Sequence, residues 1–78
     1  MTPLQKLRSI EELLINFKGS AEKLLPIARQ IDILGSGIDS NSDAYKELGI
    51  ARSLMNNANN ITKVLEHLAN AESDMMDE

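Results

Sequence analysis

The chain has no cysteine and no tryptophan, one histidine (His67), two aromatic residues (Phe17 and Tyr45) and no long apolar run. Each shortage excludes something. Without cysteine there is no disulfide, no thiolate zinc site and no cysteine nucleophile. A lone histidine leaves no familiar nucleophile–base pairing, so enzyme activity, a metal centre and a cofactor are not expected. No segment approaches the ~20 apolar residues of a membrane span. The start, MTPLQKLRSIEELL, carries charges every few residues and lacks a signal-peptide core. A cytoplasmic location is therefore expected, and the glycosylation pattern at Asn60-Ile61-Thr62 reads as chance.

With so few aromatics, the core must be built from Leu, Ile, Ala and Met, which supply most of the 42% apolar content. A domain of 78 residues rarely gains more than ~3–5 kcal/mol from such a core. Self-association is the common remedy, and a homo-oligomer, with a dimer favoured, is expected. The net charge of −4 is unevenly placed. Four of the twelve carboxylates fall in the last seven residues, ESDMMDE, which leaves residues 1–71 with eight acids and eight bases. A neutral body with an acidic end lacks the basic face that nucleic acid requires. Residues 73–78 read as a disordered acidic tail on a single helical domain spanning 1–72.

Helix signals dominate what is present. Thr2-Pro3-Leu4-Gln5 offers a capping threonine, a proline at the first helical position and the glutamine of a T-x-x-Q capping box. Leu4, Leu7, Ile10, Leu14 and Phe17 then recur at helical spacing. A helix over 3–18 is predicted, with Gly19 as its left-handed cap. A second spans 20–34, broken near Pro26. Either it kinks there, or residues 20–25 form a separate turn and the helix proper starts at the proline, the reading preferred here. Gly35-Ser36-Gly37 is read as its stop. It does not resemble a phosphate loop, because no strand precedes it, no Gly-Lys-Ser/Thr follows, and Asp39 and Asp43 would repel an anion.

From 42 to 72 the chain reads as one long helix. Ala51, Leu54, Ala58, Ile61, Leu65 and Leu68 form a heptad seam. Against this, Asn56-Asn57-Ala58-Asn59-Asn60 sets four poor helix formers in five positions, each costing up to ~0.7 kcal/mol relative to Ala, so a break there is the alternative. The fold class predicted is an all-α antiparallel helical hairpin, two short helices on one long C-terminal helix, assembled through the seam into a homo-oligomeric helical bundle. Helix one would lie against the end of the long helix and helix two against its start. A compact three-helix monomer is the alternative.

DSNSDAYKELGI (39–50) begins like a calcium loop, with Asp39, Asn41 and Asp43 at alternating positions. The sixth position, however, is Ala44 where the loop needs glycine, and the twelfth is Ile50 where it needs a bidentate glutamate. Helix capping explains the same residues: 39–41 turn the chain, and Ser42-Asp43 start the long helix.

Arg52, Asn56, Asn59 (or Asn60), Lys63 and His67 recur at steps of three or four. On one helix they would share a polar face able to meet an anionic ligand or a partner. Adjacent carboxylates such as Glu11 and Glu12 point to different helix angles and suggest no catalytic pair. The leading functional expectation is a small non-enzymatic protein-interaction module, adaptor-, inhibitor- or chaperone-like. It would bind an unidentified protein partner through an apolar helix face, with Met55 and Met75 as adaptable contacts. The alternative is an oligomeric binder of a small anionic or nucleotide-like molecule using the polar face.

Overall fold

A computed structural model describes residues 2–76. These residues form four α-helices: α1 (Pro3–Ile15), α2 (Leu25–Ser36), α3 (Asp43–Leu54) and α4 (Ile61–Met76). Short 3-10 turns at Ala21–Leu24 and Ala58–Asn60 lead into α2 and α4. Each helix packs on the next, and α4 closes back on α1.

Local chemistry sets the helix starts. Thr2 Oγ1 accepts from the Gln5 N–H at 3.2 Å, and Gln5 Oε1 accepts from the Thr2 N–H at 3.0 Å. This reciprocal box satisfies two donors that the first turn would leave open. Pro26 sits in the first turn of α2, where its missing N–H costs nothing. The preceding 3-10 turn is the separate element that the proline demands. Ser42 Oγ caps α3 by accepting from the Tyr45 N–H at 3.1 Å, and Asp43 occupies the first turn. Asp39 Oδ1 accepts from the Asn41 N–H at 2.9 Å, and its carbonyl accepts from Ser42 Oγ at 2.6 Å. The apparent ion ligands thus serve as corner and cap.

Helix ends differ from expectation. α1 stops at Ile15, short of Lys18, because the Asn16 side chain donates to the Glu12 carbonyl at 3.1 Å and its backbone N–H binds the same oxygen. Gly19 keeps a positive φ of 139° but serves the link to α2, under the Lys23 side chain, rather than the helix end. α2 runs past Leu34, carries Gly35 inside it, and ends at Ser36, whose hydroxyl donates to the Ile33 carbonyl at 2.7 Å. Ser73–Met76, expected in the tail, form the last turn of α4; Asp77 and Glu78 lie outside the described residues.

The largest correction is the long helix. It breaks after Leu54, and α4 folds back against α3. Asn57 adopts an extended conformation and its side chain holds the Asn59 N–H at 2.9 Å. The Asn60 amide donates to the Leu54 carbonyl at 3.1 Å, satisfying an orphan acceptor at the end of α3. Asn57 and Asn60 are therefore turn-former and cap, and the Asn60 side chain is committed to the fold. Pairs placed symmetrically about Asn57, Leu54 with Asn60 and Glu47 with His67, show the antiparallel register. The hairpin of two short helices on one long helix is thus replaced by four packed helices, although α1 does meet α4 and α2 does meet α3.

The core closes within one chain. Leu7, Ile10 and Leu14 of α1 meet Ile27, Ala28, Ile31 and Leu34 of α2, Ala44, Leu48 and Ala51 of α3, and Val64, Leu68 and Ala71 of α4. Among the described residues no polar or charged residue is fully buried. The seam expected between copies lies inside the molecule. Ala51 and Leu68 are 0% exposed, while Leu54, Ala58, Ile61 and Leu65 pack half-buried against the core. Met55 is also buried, at 4%, and Met75 packs partly buried, so Met55 is not a surface contact.

Candidate functional site

Between α2 and α3 the packing leaves a cleft of about 220 Å³. Ile31 and Leu48 contribute its apolar lining, Tyr45 a half-exposed aromatic wall, and Ser36 a polar edge. Two glycines, one on each helix, leave it open. A Cβ at Gly49 would meet nothing within 4 Å, and one at Gly35 would sit 3.8 Å from the Tyr45 ring. Glycine inside a helix costs roughly 1 kcal/mol against alanine. Gly49 carries that cost in the middle of α3, whereas Gly35 lies one residue from the end of α2.

Asp32 and Arg52 rim the cleft. Arg52 Nε donates to both carboxylate oxygens, at 3.1 and 3.2 Å. The side chains are 56% and 40% exposed, so the pair contributes at most ~1 kcal/mol. Its consequence is electrostatic: the one guanidinium at the cleft already faces an acid, and the rim is neutral.

The polar face predicted from sequence is not assembled. Arg52 turns toward α2, Asn56 is exposed in the α3–α4 connection, and Asn59 is exposed in the 3-10 turn. Lys63 is exposed on α4, whereas His67 points back to α3 and its Nδ1 lies 2.7 Å from Glu47 Oε2. The break at 55–60 divides the stripe between two antiparallel helices. Arg52 alone of these residues lines the cleft.

A second cluster joins α1 to α4. Arg8 Nε donates to Glu72 Oε1 at 2.9 Å. Beside them Glu11 is partly buried, and its Oε1 is sealed from solvent with no donor reaching it. Burial, then the hydrogen bond and negative charge of Glu72, push the Glu11 carboxyl up from 4.5 to about 7, against the opposing pull of Arg8. Glu72 is held below the ordinary carboxylate range by the hydrogen bond from Glu11 and then by Arg8. Sequence reading missed this cluster, and Asp32, Gly35 and Gly49 with it. The glycines inside apolar-faced helices were the available signal; the carboxylates offered none.

Among the described residues no group of three or more His, Asp or Glu side chains is placed to hold a metal ion. Nor is any described helix long and apolar enough to cross a membrane. Comparison with protein-family models, curated proteins and solved structures finds no match.

Proposed function

We propose that this chain is a small non-enzymatic protein-interaction module that takes one apolar side chain of a partner protein into the α2–α3 cleft. The observation that carries this reading is a slot lined by Ile31, Leu48 and Tyr45 and left open by Gly35 and Gly49. Its size favours a side chain. Small-molecule pockets are typically about 300–1,000 Å³, and this cleft is about 220 Å³. Its chemistry agrees, since an apolar anchor in a desolvated slot with a polar rim is how interfaces concentrate binding energy. A small anionic ligand has less support, because Arg52 is already neutralised by Asp32.

Self-association belongs to the same reading. Leu13, Ile15, Leu25 and Ile33 are half or more exposed, and any of them could enter the cleft of a second copy. A dimer formed at high concentration would use this surface contact, since the Ala51–Leu68 seam packs inside the chain.

Gly49→Leu provides the test. The position is open, so the variant should fold and fill its own slot. In a displayed-peptide selection, peptides enriched on the native chain should share an apolar anchor and lose binding to Gly49→Leu. Equal binding to both proteins, or no enrichment, would remove the cleft as the interaction site. Sedimentation equilibrium of the same pair tests the dimer, which Gly49→Leu should weaken.

A further inference from the structure

We propose that Glu11 and Glu72 hold a single proton between them across the α1–α4 seam, with Arg8 balancing the remaining charge, and that loss of this proton loosens the seam. The geometry carries the proposal. Glu11 Oε1 is shut away from water and no donor reaches it. A carboxylate can only accept, so an ionised Glu11 would leave that oxygen orphaned beside a second negative group. A protonated Glu11 donates to Glu72, which keeps its bond from Arg8 at 2.9 Å. The trio is then neutral.

Few other charges bear on it. From α4 the facing group is Glu72, and from α1 itself it is Arg8. α2, the other helix packed on α1, brings exposed Arg29 and the Asp32 already bound to Arg52, and neither pairs with Glu11.

The sign follows from linkage. Between 4.5 and about 7 the folded chain binds a proton at Glu11 that the unfolded chain does not. Stability therefore falls as pH rises through that window and levels off above it. Glu72 acts oppositely: its lowered value stabilises the fold above the ordinary carboxylate range, and that contribution is lost only in stronger acid. The seam is firmest in mild acid and weaker above neutrality.

The experiment is urea unfolding of the full chain from pH 5 to 8, with carboxyl ¹³C titration of Glu11 alongside. The native midpoint should fall across this range, and the Glu11 signal should titrate at about 7. Glu11→Gln, which cannot ionise, should flatten the profile and raise the midpoint at pH 8. Histidine ordinarily titrates in the same range, so the comparison is repeated with His67→Gln in both chains, and Glu11→Gln must still flatten the profile there. If Glu11 titrates like an exposed glutamate, or if Glu11→Gln keeps the native slope, the shared proton is wrong. The ¹³C titration uses the native chain and decides the matter even if Glu11→Gln folds poorly.

Discussion

Two places in this molecule use the same bond in different surroundings. Arg8–Glu72 ties α1 to α4, and Arg52–Asp32 ties α2 to α3, each through an arginine Nε to a carboxylate. At the first, a third ionisable group, Glu11, is pressed into the seam with a sealed oxygen. At the second, glycines take the place of side chains and the space beside the pair stays open. The first seam is closed and sensitive to protons; the second is open and electrostatically quiet. An ion pair's worth is set by what is buried beside it, not by its length.

Substitutions should separate the two regions by the size of their effects. The largest effect should come from Leu68→Ala. This side chain is fully buried in the core that both regions share, and its truncation should cost ~2–5 kcal/mol. Hydrogen exchange should show both the α1–α4 and α2–α3 contacts loosening together. A loss confined to one side would mean two separately stable halves. Ser42→Ala should cost ~0.5–2 kcal/mol, read as a lowered denaturation midpoint, because it removes the cap that starts the helix carrying Tyr45 and Gly49. Arg52→Gln should do least. The exposed pair is worth under ~1 kcal/mol, so thermal unfolding should barely shift, and a large shift would show that the two ion pairs are more alike than their burial implies.

Local chemistry was legible in the sequence, and long-range placement was not. The Thr2–Gln5 box, the proline in the first turn of α2 and the Ser42 cap depend on residues a few positions apart, and each forms as read. The break after Leu54 was harder. Two antiparallel helices facing one core repeat apolar residues at the same spacing as one continuous seam, so Ala51 through Leu68 supported both readings. The four asparagines opposed the long helix, and the side-chain bonds of two of them, Asn57 and Asn60, hold the turn. The ends of α1 and α2 were likewise settled by the Asn16 and Ser36 side chains competing for backbone carbonyls.

The candidate site was legible only in part. Arg52 was singled out, but its partner lies twenty residues away, and no periodicity within one helix points to it. Glu11 looked like an ordinary surface carboxylate. Its neighbour Glu12 does remain exposed. Which of the two is buried depends on where α4 settles, and that is a property of the assembled fold.

The most direct test of the α2–α3 cleft is amide chemical-shift mapping with isobutanol and phenol, stand-ins for leucine and tyrosine side chains. Shifts should concentrate at Ile31, Gly35, Tyr45, Leu48 and Gly49 in the native chain and vanish there in Gly49→Leu. Shifts spread over Leu13, Ile15 and Met76, or unchanged in the variant, would contradict the cleft as the place where this protein meets its partner.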